Sequence, residues 1–212
     1  MTRVMYDSVS PDSIPDSATI VAGYVDGHYA NMPLITDRFP GALHVPIAVR
    51  PSTDNGLVLD VETGDATPAE APGWVTMRRN AGVDPTVYCN SSTWGAVKQA
   101  FADAGVPQPH YWIAQYDNNP AIPAGAIAKQ YGGNNAYDVS SVADTWPGLD
   151  NAGDTMTPQQ ISDLADVVVE RLLARQIPCP GDTPPTRSVA AILGYQDLHY
   201  ANLLAAIKTP KP

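Results

Sequence analysis

The feature that most constrains this chain is a repeating one: short apolar runs rich in Val, Ile and Tyr, each closed by Pro, Gly, Asp or Asn or by a helix-like stretch. Eight such runs occur in order, at 3–8, 20–26, 42–49, 57–63, 86–90, 111–117, 127–131 and 137–140. Most are continuously hydrophobic rather than alternating, which is the pattern of strands covered on both faces. Strands interleaved with helices build parallel sheets, and eight is the closing number of the commonest barrel. The expected fold is therefore α/β: an abbreviated (β/α)8 TIM-barrel-like domain over residues 1–150, followed by a C-terminal α-helical tail.

Two intervening helices are well signalled. Pro68 to Ala81 follows Thr67 as cap and stops at Gly82, and Ser92 to Ala104 opens on hydroxyl residues and stops at Gly105. The other connections are too short for full helices. Beyond Trp146-Pro147-Gly148 the character changes. Thr157 and Gln160 frame a capping box that leads a connecting helix over 151–176, with Ile161, Leu164, Val168 and Leu172 on one stripe. Pro178, Pro180, Pro184 and Pro185 then make 177–187 an extended linker. A last amphipathic helix spans 188–212. Its Val189, Leu193, Gln196, Tyr200, Leu203 and Ile207 form a coiled-coil seam, so homo-oligomerisation through 188–208 is expected.

A net charge of -10 repels a phosphate backbone, so nucleic acid is not an expected partner. No apolar segment reaches the roughly 18 residues that span a bilayer. The opening residues show no basic region followed by an apolar stretch, so synthesis in the cytoplasm without a signal peptide is expected. Cys89 and Cys179 make neither a metal spacing nor a disulfide framework and read as reduced thiols. His28, His44 and His110 stand apart and His199 sits on the last helix, so no metal or other cofactor is expected. Trp74, Trp94 and Trp146 read as core, and Gly132-Gly133-Asn134-Asn135 as a turn.

The sharpest chemical feature is Leu57-Val58-Leu59-Asp60-Val61-Glu62-Thr63, an apolar strand whose end turns acidic. Side chains two apart on a strand share a face with Cα atoms roughly 6 to 7 Å apart, so Asp60 and Glu62 point into one space. That spacing suits a glycosidase carboxyl pair, in which one group holds a proton and the other is ionised. It would equally suit a divalent cation or two solvated carboxylates. Other strand ends carry acids or amides too: Asp7, Asp26, Gln115 with Asp117, Gln130 and Asp138. Closure of a barrel would gather them on one rim.

Five segments in order make the chain resemble the family 25 glycoside hydrolases (lysozymes) and the shortened glycoside-hydrolase-like domains of actinobacteria and their phages. They are Val4-Met5-Tyr6-Asp7-Ser8, Leu59-Asp60-Val61-Glu62, Val87-Tyr88-Cys89-Asn90, Tyr111-Trp112-Ile113-Ala114-Gln115-Tyr116, and Lys129-Gln130-Tyr131 with Tyr137-Asp138-Val139-Ser140. The resemblance implies Glu62 as general acid and Asp60 as the carboxylate that stabilises positive charge, with Asp7 and Asp138 completing the site. It implies Tyr88, Trp112, Tyr116 and Tyr131 as ring platforms for sugar, and Gln115 and Gln130 as further substrate contacts. The implied activity is hydrolysis of peptidoglycan or another glycan, at the bacterial cell wall or as part of a phage virion. The short approach to the Asp60/Glu62 motif trims the barrel wall and, with the tail seam, suits a second reading: a non-catalytic virion component with a glycan-binding barrel and an oligomerising tail.

Overall fold

A computed structural model describes residues 3–150 together with 176–178 and 186–188. The chain divides into two compact units, 1–156 and 157–212. The first is a closed eight-stranded barrel in which every sequence-expected strand forms. The strands are β1 Arg3–Asp7, β2 Ile20–Tyr24, β3 Leu43–Ala48, β4 Val58–Val61, β5 Thr86–Asn90, β6 His110–Ala114, β7 Ala128–Gly133 and β8 Asp138–Val142. Neighbours in sequence are neighbours in the barrel, and β8 closes it against β1.

The pairs from β1/β2 through β6/β7 are parallel, whereas β8 runs antiparallel to both β7 and β1. A short turn between β7 and β8 dictates this, since parallel neighbours need a crossover of a dozen or more residues. Asn134 builds that turn by accepting from the backbone of Ala136 and Tyr137 at 2.8 and 3.0 Å. Gly132 and Gly133, expected in the turn, instead end β7 beyond a bulge between Gln130 and Gly132.

Alternation along each strand sorts the side chains. Met5, Ile20, Ala22, Val45, Val58, Trp112, Ala128 and Val142 fill the barrel interior. The opposite faces carry Leu59, Val61, Val87, Cys89, Tyr111 and Ile113, which pack under two helices, α2 Ala71–Asn80 and α3 Trp94–Asp103, through Trp74, Val75, Val97 and Phe101. A third helix, α1 Met32–Arg38, covers β2 through Ile35 and was not foreseen; seven residues opened by Met-Pro leave too short a period to read. Three helices do not make a strand–helix alternation around the barrel.

Both expected helix stops are realised in one way. Gly82 and Gly105 take positive φ (78° and 65°), and the amides of Val83 and Val106 reach back to the carbonyls of Arg78 and Phe101. These are Schellman ends, in which a glycine relieves the Cβ clash of the left-handed residue. The start of α2 falls later than expected because Glu70 turns back first to accept from the Thr67 amide and hydroxyl at 2.9 and 2.6 Å.

The end of the barrel away from the acidic rim is plugged. Trp146 is fully buried, donates to Thr86 Oγ1 at 2.9 Å and packs edge-on to Trp112 at 6.1 Å. Arg3 holds the following turn by donating to both oxygens of Asp150 at 2.6 and 2.8 Å. Trp74 is core as expected, while Trp94 is partly buried and packs on Tyr111.

In the second unit, β9 Gln176–Pro178 pairs antiparallel with β10 Thr186–Ser188. These strands fall at the two ends of the expected Pro-rich linker at 177–187, whose other residues lie outside the described ones, and Ser188 lies in a strand rather than starting a helix. The remaining parts of the expected helices at 151–176 and 188–212, with the coiled-coil seam and His199, lie outside the described residues. Among the described residues no helix is long and apolar enough to cross a membrane.

Candidate active site

One face of β4 carries Val58 into the apolar interior and Asp60, two residues on, into a pit at the barrel mouth, with Glu62 just past the strand end. The same alternation brings Asp7 after Met5 on β1, Tyr88 on β5, Trp112 on β6 and Gln130 after Ala128 on β7. Asp138 begins its strand rather than ending it. Because β8 is reversed, that beginning lies on the same rim, and Asp138 stands directly across from Asp7 in the β1/β8 register. The pit, about 150 Å³, is therefore walled by carboxyls from three strands and the loop after β4, over an aromatic floor.

Two larger spaces adjoin it, and Glu62 borders all three. A groove of about 490 Å³ shares Tyr24, Asp60 and Glu62 with the pit and runs past Asp26, Tyr29, Arg50 and Asp65. On the other side a space of about 510 Å³ is lined by Thr63, Thr67, Asn90, Ser92 and Thr93. Glu62 is solvent-exposed, whereas Asp7 and Asp60 are only 6% and 5% exposed.

Burial decides the protonation of these groups. Removing Asp7 from water, with Asp138 opposite it, pushes its carboxyl up to about 8. Burial, then the charges of Glu62, Asp65 and Asp7, do the same to Asp60, also to about 8. Glu62 is raised by partial desolvation of its carboxyl and by Asp65 and Asp138, with the Tyr88 hydroxyl opposing the rise. Asp138 is raised by burial, and a hydrogen bond from Tyr116 opposes that. Gln130 Nε2 makes only long contacts to Asp7, 3.4 and 3.5 Å, while its Oε1 accepts from the Tyr88 hydroxyl. Asp60 Oδ1 is buried with no hydrogen-bond partner. A buried polar atom in that state costs free energy unless it is protonated or meets a ligand.

Of the sequence-expected site residues, Asp7, Asp60, Glu62, Asp138, Tyr88, Trp112, Tyr116 and Gln130 all line the pit. Their roles need correction in two cases. Trp112 is 1% exposed, donates to Ser140 Oγ at 3.1 Å and stacks edge-on against Tyr88 at 4.7 Å. Buried in this way, Trp112 and Tyr88 are the floor rather than platforms for a sugar face. Tyr116, 58% exposed, keeps the platform role open.

Gln115 and Tyr131 do not line the pit. The first is exposed past the end of β6, and the second falls at the β7 bulge, which breaks the alternation that would have set its direction. Asp117 also leaves the rim, drawn off by buried Lys129, whose Nζ donates to both its oxygens at 2.8 and 2.9 Å. Asp26 reaches the groove but is occupied in holding the loop after β3, accepting from the Val49 amide at 2.7 Å and from Thr53. Sequence reading missed Tyr24, Tyr29 and Asp65. Tyr24 was legible as the inward position after Ile20 and Ala22, but the other two sit on loops without a period.

Of the expected lone histidines, His44 meets the Phe39 carbonyl at 2.8 Å, His110 pairs with Asp84 at 3.0 Å and His28 packs edge-on to Tyr29. Cys89 is a buried free thiol on the outer face of β5. Among the described residues no group of three or more His, Cys, Asp or Glu side chains is arranged to hold a metal ion. No family model, curated protein or solved structure matches the chain.

Proposed function

We propose that the barrel is an abbreviated (β/α)8 glycoside hydrolase of the lysozyme type, acting on peptidoglycan at the bacterial cell wall or from within a phage virion. The observation that carries this reading is the gathering of Asp7, Asp60, Glu62 and Asp138 around one pit with open grooves on either side of Glu62. Hydrolysis of a glycosidic bond needs a proton for the departing oxygen and negative charge beside the oxocarbenium-like carbon. A set of carboxyls with unequal burial supplies both.

The roles divide by exposure. Glu62, partly desolvated yet open to both grooves, gives its proton to the glycosidic oxygen as the C–O bond breaks. Asp138, whose Tyr116 hydrogen bond offsets part of its rise, faces the developing positive charge. Asp60 and Asp7 hold protons near neutral pH in the free site and ionise as positive charge enters the pit, since a nearby cation favours the carboxylate. Water then adds at the anomeric carbon and gives its proton to the Glu62 carboxylate, which restores the acid.

The test is release of reducing ends from purified peptidoglycan by the wild-type chain and by Glu62→Gln. Loss of a general acid costs about 10²- to 10⁴-fold in rate. A loss of that size in the variant supports the assignment. Equal release from both proteins, or none from either, removes it and leaves the non-catalytic glycan-binding reading in its place.

A further inference from the structure

We propose that Lys129, on the outer face of β7, is a positioning residue for the pit: it clamps the loop after β6 so that Tyr116 stays against Asp138. This inference rests on the hydrolytic reading of the pit, in which Asp138 is the carboxylate that faces positive charge. Ala128 and Gln130 point inward, so alternation turns Lys129 outward. The outward positions of the neighbouring strands, such as Val61, Cys89 and Ile113, are apolar and pack under helices. Lys129 pairs with Ile113 in the β6/β7 register and is only 2% exposed, but residues 115–127 reach β7 without a helix. Burying an ammonium is costly, and an apolar side chain would fill the same space without that cost. What the charge adds is a specified geometry for the loop that covers it.

That geometry is centred on Tyr116. Lys129 Nζ donates to both Asp117 oxygens at 2.8 and 2.9 Å and to the Asn119 carbonyl at 2.9 Å, and Asp117 also accepts from the Asn119 amide at 2.9 Å. The backbone adds two further ties to β7, from the Gln115 amide to the Gln130 carbonyl and from the Asn118 amide to the Tyr131 carbonyl, both at 2.9 Å. Tyr116 is the centre of a three-residue turn closed by the Asp117 amide on the Gln115 carbonyl at 2.9 Å. Asn118 takes a φ of 55°, a conformation uncommon outside glycine that these ties hold in place. Three successive residues of β7 thus fix the chain around Tyr116, and Lys129 does so with its side chain.

Tyr116 in turn governs Asp138. Its side chain is largely exposed, yet its hydroxyl donates to the Asp138 carboxylate. Around the pit Asp138 shares the lining with Asp7 from β1, Tyr24 from β2, Asp60 and Glu62 from β4 and the loop after it, and Tyr88 from β5. Tyr88 gives its hydroxyl to Gln130 instead. Burial raises Asp138, and the Tyr116 bond is the contact that opposes the rise. On an untied loop that hydroxyl would exchange Asp138 for water, because connecting segments are mobile unless something holds them. The clamp therefore reaches the acidic pit from the opposite face of the sheet.

The experiment is a carbon-13 NMR titration of the Asp138 carboxyl in the full chain, assigned through Asp138→Asn, for wild type, Tyr116→Phe, Lys129→Met and the two substitutions together. Met replaces the buried stem with an apolar chain of similar length, so the barrel is expected to fold. Loss of the Tyr116 hydroxyl should raise the Asp138 midpoint. Lys129→Met should raise it too, and the double variant no further than Tyr116→Phe alone, because the clamp acts through that hydroxyl. Lys129→Gln keeps an N–H donor and should raise the midpoint less; it decides the matter if the Met variant does not fold. An unchanged midpoint in the Lys129 variants overturns the inference. So does an unchanged midpoint in Tyr116→Phe, or a double variant whose rise is the sum of the two single ones. Hydrolysis of peptidoglycan is scored separately. The acid limb of its pH profile should move to higher pH in Lys129→Met by the same shift, since Asp138 must be ionised to face positive charge. Absence of hydrolysis by wild type removes the hydrolase and leaves the titration to decide the clamp.

Discussion

Asp7 and Asp60 are where sequence, burial and chemistry meet most tightly. Each ends an apolar strand on its inward face, and the same closure that buries the apolar residues also desolvates these carboxyls. Their folded-state pKa of about 8 lies above the ordinary value of 3.8, so the native state binds more protons than the unfolded chain in between. Their contribution to stability is thus full in acid and is lost as pH rises from about 4 to about 8. Asp60→Asn or Asp7→Asn should remove that loss. We expect either variant to be more stable than wild type at pH 8 by at least ~1 kcal/mol in urea denaturation. We also expect its stability to vary less with pH. A variant that is less stable than wild type at pH 8 would show that the ionised carboxylate is held by interactions other than those described. The spacing of Asp60 and Glu62 made this pair legible without coordinates, because a period of two is all that is needed to put both on one face. The burial difference between them was not legible, since it depends on how far each extends past the rim.

At the scale of the element, the reversed β8 decides the composition of the site. Asp138 was expected to arrive at a strand's end and arrives instead at a strand's beginning; both routes lead to the same rim only because the chain turns at Asn134 instead of crossing over. The sequence cue was the turn-forming Gly-Gly-Asn-Asn run, too short to carry a crossover helix. The Tyr131 assignment failed for the opposite reason, because a bulge inserts one residue and no local pattern announces it. Helix ends were more legible, since a Schellman stop needs a residue that tolerates positive φ. Gly105→Ala should therefore cost about 1 kcal/mol in thermal or chemical unfolding, with the site's chemistry unchanged. Breaking the Lys129–Asp117 pair should have a larger effect from one side than the other. Asp117→Ala leaves buried Lys129 with the Asn119 carbonyl at 2.9 Å and should lower the urea denaturation midpoint more than Lys129→Met, which leaves only a partly exposed carboxylate in water.

For the whole molecule, eight apolar runs and their order were readable because strand length, turn residues and continuous hydrophobicity are local properties. The sparse helix cover was readable only as short connections, and α1 emerged from packing on β2 rather than from its own period. Closure depends on the segment after β8. Trp146→Ala should destabilise the barrel by about 3–5 kcal/mol, measured as a shift in denaturation midpoint, because it empties the plug beneath Trp112. An assembly role for residues 188–208 rests on the sequence seam alone. A chain ending at Gly181 should sediment as a monomer if the full-length chain is oligomeric, and continued assembly would move the interface elsewhere. Function at this scale rests on one electrostatic fact, the crowding of four carboxyls at a single mouth. The most direct measurement is a carbon-13 NMR titration of the aspartate carboxyl groups in the folded full-length protein. Resonances of Asp7 and Asp60, assigned through their Asn variants, should titrate near pH 8. Midpoints for both at the ordinary 3.8 would mean that these side chains stand in water, and that the acidic pit does not exist as described.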